Sequence, residues 1–373
     1  MDIAILKESK PEEYRVPVIP EGVRQLVEKG HRVMVQRDAG ISAGYPDDAY
    51  EQAGAQIMED ASEIASSAQL IVKVKEPIEN EFRVFQEGQA LFCYLHSETR
   101  PALVDMLLEK RISAIAFENI RLSDGRLPLL APMSIIAGQQ AVLQGMQFLW
   151  NHKDGIGKSL VAYPGLEPAQ VVVLGAGQAG LGAARVAASL GAQVTLFEID
   201  RERIRFITPI LPANIRVFHN EVVSLAPYVY QADMVINTST IPPQNDWHLI
   251  DREMISKMKK GSVIADVTAN LKGAIETIDR YTSHDDPVWE VDGVIHYAVT
   301  NIPGTVANTA SQALSLEVLP YLTELADHGI TPALKRNPAL RHGLTAINGM
   351  LTWEEAGTYQ DRPWCTPEAA LNS

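Results

Sequence analysis

Apolar and polar positions follow two rhythms along this chain. Short continuous apolar runs at residues 3–6, 32–35, 70–74, 90–95 and 112–117 are separated by stretches with apolar residues at helical spacing, such as 20–29, which Gly30 ends. Runs of that length predict strands covered on both faces, and strands that alternate with helices predict a parallel sheet. The rhythm resumes at residues 171–174 and continues through 216–218, 234–236, 262–266 and 294–299, which predicts a second sheet of the same type. Two longer helical stretches, 135–150 and 307–327, have no strand partner and read as connectors, the second of them following the last strand. The pattern predicts an α/β chain of two doubly wound, Rossmann-like parallel-sheet domains joined by long helices. One domain, 131–307, is expected to be inserted into a discontinuous outer domain made of 1–130 and 308–373.

The inserted domain opens on VVVLGAGQAGLGAARVAASLGAQVTLFE, residues 171–198, which reads as strand, glycine-rich turn, helix, strand and acid. A lone GxGxxG is a weak signal, and its place between a strand and a helix strengthens it. Gly175 suits a tight turn, Gly177 a close approach of backbone to a pyrophosphate, and Gly180 close packing of helix on strand. Gln178 and Ala179 then open the helix, whose N-terminus favours phosphate. Glu198 lies roughly 20 residues past the glycines, where an acid accepts hydrogen bonds from the adenosine ribose and repels a 2′-phosphate. NAD is expected over NADP, with Arg201 and Arg203 close enough to soften that preference.

Composition narrows the partners. The chain has 373 residues, 46% of them hydrophobic, and a formal net charge of −14. That charge argues against nucleic acid or an anionic membrane as the main partner. No apolar run approaches the roughly 20 residues of a bilayer span, and MDIAILKESK lacks a signal-peptide apolar region, so a cytoplasmic protein is expected. Cys93 and Cys365 are too few and too far apart for a disulfide framework or a zinc site, and no metal is expected.

Three polar residues of the outer domain stand at predicted strand ends or turns. Arg15, in EEYRVPVIP, has a planar fork suited to bidentate capture of a carboxylate. Lys75 ends LIVKVK and can pair with a carboxylate or polarise a carbonyl. His96 ends ALFCYLH and can exchange protons near neutral pH. Singly, each is more often a surface charge or a structural histidine. Together, two cations and a base are what amino-acid oxidation requires.

The segments EEYRVPVIPEGV, VKVKEP, GRLPLLAPMSIIAG, YPGLEPAQVVVLGAG, MKKGSVIADV, DPVWEVDGVIHY and NIPGTV together resemble the alanine dehydrogenase and transhydrogenase nucleotide-domain family over essentially the whole chain. The resemblance implies that Arg15 and Lys75 bind a small amino acid or 2-oxo acid, that His96 is the acid/base, and that the enzyme is an NAD-dependent homohexamer. It also implies NAD contacts at Ser134, Gln178, Glu198, Arg203, Asn220, Ser239, Thr240, residues 267–270 with Val267 and Asn270, and Asn301. Where the family carries a second catalytic residue, an aspartate, this chain has Asn270, and the nearest acid is Asp266. Ile135 replaces a usual glutamate, and INTSTIPPQNDW replaces a more apolar loop. These departures leave two rivals to an alanine dehydrogenase-like enzyme: a dehydrogenase or imine reductase for another amino or imino acid, and an NAD-binding regulatory protein without turnover.

Overall fold

The computed structural model describes residues 1–241, 245–268 and 270–372. The chain divides into two compact units, Met1–Met133 with Gly304–Ser373, and Ser134–Pro303. The first unit begins with β1 (Asp2–Ile5), β2 (Arg32–Gln36), β3 (Gln56–Met58), β4 (Leu70–Val72), β5 (Ala90–Cys93) and β6 (Ser113–Ala116). The second carries β7 (Gln170–Leu174), β8 (Gln193–Glu198), β9 (Ile215–His219), β10 (Met234–Asn237), β11 (Val263–Asp266), β12 (Val288–Val291) and β13 (Val294–Tyr297). The chain then adds β14 (Leu344–Ile347) and β15 (Met350–Leu351) to the first sheet.

The strand orders are β15-β14-β6-β5-β4-β1-β2-β3 and β12-β13-β11-β10-β7-β8-β9. In the first sheet the order reverses between β1 and β4, in the second between β7 and β10, all four strands being parallel to their neighbours. Loops at the carboxyl ends of strands flanking such a reversal are where open α/β sheets hold ligands.

Apolar runs make these strands because both faces of each sheet are covered. Val171 and Val173 pack with Ala183, Ala187 and Ile236 on one face of the second sheet. Val172 and Leu174 pack with Val235, Ile255 and Ile264 on the other. In the first unit the helix Ala307–His328 buries Ala310, Leu314, Val318 and Leu322. Its Ser311 and Ser315 hydroxyls accept hydrogen bonds from the Val16 and Ile19 amides, at 3.0 and 3.1 Å, and so fix the loop that presents Arg15.

Three features differ from the sequence-based expectation. The sheets are mostly parallel, yet β12 runs antiparallel to β13, β14 to β6 and β15 to β14. The long helix Ala307–His328 is not the end of the sheet, because β14 and β15 follow it. Two-to-four-residue edge strands are too short for periodicity to reveal, although both hairpins carry a sequence signal. Asp292–Gly293 and Asn348–Gly349 turn with positive φ at both residues, as two-residue hairpin loops require. Finally, β4 ends at Val72 and β5 at Cys93, so Lys75 and His96 stand in the loops beyond the strands.

Candidate functional site

In the first unit, the loops after β1, β4, β5 and β6 bring a cluster of charges together at the reversal of strand order. Arg15 is buried, and its fork closes on a carboxylate of its own chain: Nε and Nη2 donate to Glu13 Oε1 and Oε2 at 2.7 and 2.5 Å. This corrects the expectation that the fork stands open for bidentate capture. Glu13 is only two residues away, so closing that pair costs little loop entropy, and leaving a buried guanidinium unpaired is expensive. Nη1 turns to the Met133 sulfur at 3.0 Å. Burial opposes charge on Glu13, and the Arg15 cation overcomes it, holding the carboxyl below its ordinary range.

Lys75 is half-buried, and among the described residues its ammonium makes no hydrogen bond or ion pair. Burial, then repulsion from Arg15, lowers its pKa. The neighbouring Lys73 is a different case. It is buried against Glu81 at 3.0 Å and Glu8 at 3.4 Å, and Glu8 also accepts the Val74 amide at 2.6 Å, so this lysine is structural.

His96 adopts a left-handed backbone, φ 45°, where non-glycine residues are uncommon and often functional. The half-buried Glu118 pins that conformation by accepting the Leu95 and His96 amides at 3.0 and 2.6 Å. A Glu118 oxygen lies 3.8 Å from His96 Nδ1, and the imidazole stacks parallel to the Tyr94 ring. Burial, then the Lys75 cation, pushes the His96 pKa down to about 3, so the ring is neutral. Burial pushes Glu118 up to about 7 against the pull of its amide donors. Sequence reading missed both Glu13 and Glu118. Glu13 had a signal in its spacing to Arg15; Glu118 had none, because strand pairing brings it to His96 from a distant loop.

The second unit presents a turn of main chain. Gly175 has φ +85°, and a Cβ there would sit 2.7 Å from Ser239 Oγ; at Gly180 it would sit 1.9 Å from the Gly175 carbonyl oxygen. Ordinary packing explains those two glycines. At Gly177, whose φ is −68°, a Cβ would meet nothing within 4 Å among the described residues, so packing within the chain does not require a glycine there. Gly177 also starts the helix Gln178–Ser189 without a side-chain cap, leaving its first N–H groups for an anion. Glu198 accepts the Ala176 amide at 2.8 Å and the Ile199 and Asp200 amides at 2.7 and 3.0 Å. Arg203 donates to the Ala176 carbonyl at 3.2 Å. Among the described residues the buried Asn220 Oδ1 has no hydrogen-bond partner. The uncapped helix, the open space at Gly177 and this orphaned acceptor fit a dinucleotide.

The other expected contacts spread over the same unit. Ser239 and Thr240 follow β10, with the Ser239 amide donating to Asn237 Oδ1 at 3.0 Å. The Val267 amide donates to the Asn237 carbonyl at 2.9 Å. Ala269, within the expected run 267–270, lies outside the described residues, as do positions 242–244 of the altered loop. Asn301 has a left-handed backbone, φ 60°, and Ser134 stands in the helix Ala131–Gly145. Asn270 Nδ2 donates to the Ile241 carbonyl at 2.6 Å. Asp266 is buried and engaged by Thr268 and Asn237, at 2.7 and 2.9 Å, so it is not poised to stand in for an acid at position 270.

Family models described as alanine dehydrogenase/PNT match its N-terminal domain at residues 4–137 and its C-terminal domain at residues 141–354. An alanine dehydrogenase of Methanococcus maripaludis is 42% identical over 372 residues, covering 100% of both chains. One from Bacillus subtilis is 41% identical, covering 100% of this chain and 98% of its own. A solved L-alanine dehydrogenase superposes with a TM-score of 0.91 at 38% identity, over 97% of this chain and 99% of its own.

Proposed function

This chain belongs to the alanine dehydrogenase/PNT family, and from that premise we propose that it is an NAD(H)-linked oxidoreductase interconverting a small L-amino acid and its 2-oxo acid. The observation that carries the reading is the meeting of the buried Arg15, the Lys75 ammonium, unpaired among the described residues, and the neutral His96 at one sheet reversal. Arg15, its plane locked by Glu13, and Lys75 supply positive charge for the substrate carboxylate. NAD supplies the hydride acceptor for oxidation of the amine.

His96 moves the proton. As the substrate α-carbon loses hydride and the nitrogen becomes an iminium, water adds to that carbon and gives its proton to the neutral imidazole. The imidazolium then returns its proton to the carbinolamine nitrogen, and as the carbonyl forms the imidazole takes the hydroxyl proton, so that ammonia and the 2-oxo acid leave. The low proton affinity of His96 arises partly from Lys75. A carboxylate placed on Lys75 offsets that repulsion, so the imidazole becomes a better base when substrate is in place. Catalysis rests on positioning and on proton shuttling through His96.

Asn270 favours a second reading of the substrate, an amino or imino acid other than alanine. An amide can neither accept nor release a proton near neutral pH. We further infer, from the family resemblance, a cytoplasmic homohexamer. The test is a panel of 2-oxo acids with ammonia, following NADH absorbance, with NADPH in parallel. Turnover on at least one acid, faster with NADH, is expected. Bound NADH without turnover on any member would leave the regulatory reading instead.

A further inference from the structure

The left-handed turn that presents His96 is held from two sides by residues far from it in sequence. On one side Glu118 takes the Leu95 and His96 amides. On the other, the Gln360 side-chain amide donates to the Ser97 carbonyl at 2.6 Å and to the Glu98 carbonyl at 3.3 Å, across 263 and 262 positions of sequence. One clamp takes N–H groups and the other gives them, so both kinds of backbone group in the loop are satisfied. The two carbonyls also fix which way the amide faces, because its own oxygen in that place would be repelled by both.

Gln360 is itself anchored. It follows the helix Glu354–Tyr359, and its backbone N–H donates to the Ala356 carbonyl at 3.1 Å. Asp361 then turns with φ 51°, the Arg362 amide returns to the Gly357 carbonyl at 2.8 Å, and the Arg362 guanidinium pairs with Asp105 on the helix Pro101–Glu109. Gly357 makes room for the Trp364 ring, since a Cβ there would sit 2.4 Å from Trp364 Cδ1. Ser97, between the two clamps, is 1% exposed. A left-handed backbone at a residue other than glycine persists only where its surroundings over-determine it, and a side chain fastened to a rigid segment does this best.

We propose that Gln360 is a positioning residue for the reaction: with Glu118 it locks the turn at His96 and so keeps the imidazole stacked on Tyr94 among the charges that act on it. The inference rests on the reading of His96 as the proton carrier, and Gln360 acts through the turn, not on the reacting atoms. Lys75, Glu76, Arg100 and Lys10 act on the ring, and a Glu118 oxygen lies 3.8 Å from Nδ1. From the helix Glu354–Tyr359, Glu355 acts on Glu98 of the same turn. A neutral substitution at position 360 leaves all of these charges in place, so a change in His96 titration reports movement of the ring.

The test uses two variants of the whole protein. Gln360→Met keeps length and bulk and removes the donor. Its kcat should fall about tenfold, with substrate KM and NADH affinity within about twofold of the unaltered protein. By NMR of the labelled imidazole without substrate, His96 of this variant should take up its proton at least about one pH unit higher than in the unaltered protein, as the ring moves from Lys75 toward water. Gln360→Glu has a donor only while protonated, so its kcat relative to the unaltered protein should recover as pH falls from about 9 to about 6. That recovery carries the test if Gln360→Met does not fold. Unchanged kcat in Gln360→Met, a lower kcat with unaltered His96 titration, an equal loss in KM and NADH affinity, or a deficit in Gln360→Glu that ignores pH would each overturn the proposal. If His96→Ala keeps full turnover the catalytic reading fails, while the imidazole shift in Gln360→Met still separates a held turn from a free one.

Discussion

In the first unit Arg15, Lys75, His96 and Glu118 lie in loops beyond β1, β4, β5 and β6, and burial first, then neighbouring groups, set the proton affinity of each. In the second unit the turn from Gly175 to Gly180 offers main-chain N–H groups and open space, and its charged neighbours Glu198 and Arg203 hold Ala176 in place. The first surface is built of side-chain charges that act on one another, so one substitution alters several pKa values at once. The second works through backbone shape, so a substitution acts by what a Cβ touches. Proton chemistry needs tunable groups, and holding a dinucleotide needs a rigid cradle.

The sharpest test of that contrast is His96→Ala. Turnover should fall about 10²- to 10⁴-fold, with NADH affinity measured by calorimetry changing less than about twofold. Near wild-type turnover would remove His96 from the chemistry. The second unit should respond in the opposite manner. Gly180→Ala drives a Cβ into the Gly175 carbonyl and should destabilise the protein by about 3 kcal/mol in denaturant titration. Gly177→Ala meets no atom of the chain, so stability should hold within about 1 kcal/mol while NADH affinity drops about tenfold. If both glycine variants behave alike, shape complementarity to the ligand is not what Gly177 serves.

Glu118 allows the charge side of the comparison to be read without substrate. Its pKa in the fold, about 7, stands above the ordinary value of 4.5. The folded protein therefore holds a proton that the unfolded chain releases between those values. The resulting stabilisation is complete below the ordinary pKa and is lost as pH rises through about 7, on the order of 3 kcal/mol. In Glu118→Gln, stability should change less between about pH 5 and 8 than in the unaltered protein. An unchanged slope would mean that Glu118 is ionised throughout. The smallest effect is expected from Asn270→Asp. It replaces the amide donor facing the Ile241 carbonyl with an acceptor, and NADH affinity should weaken several-fold. A roughly tenfold gain in alanine oxidation with unchanged NADH affinity would show instead that the amide merely vacates an acid's place.

Much of the architecture was legible from local pattern. The apolar runs that form β7 and β8, the glycines between them and the terminal Glu198 lie within residues 170–198, and short-range chemistry dictates their structure. The helices Pro20–Glu28 and Ala307–His328 were equally readable from spacing, as were Arg15, Lys75 and His96 as candidates. Less visible were strands too short to show a period, β3, β12, β14 and β15, although Asp292–Gly293 and Asn348–Gly349 marked two of their turns.

What the sequence determined by itself was therefore the set of elements and the residue types available for chemistry, because hydrophobic period and turn stereochemistry act over a few neighbouring residues. Only the tertiary structure decided which charges meet. Parallel pairing of β5 with β6 carries Glu118 to the His96 amide, and pairing of β1 with β4 sets Glu8 against Val74 and Lys75. Whether Arg15 opens to a ligand or closes on Glu13, and whether His96 is charged, depends on burial and on neighbours brought in from distant loops. Those energies belong to the folded arrangement, and no segment of the chain contains them alone.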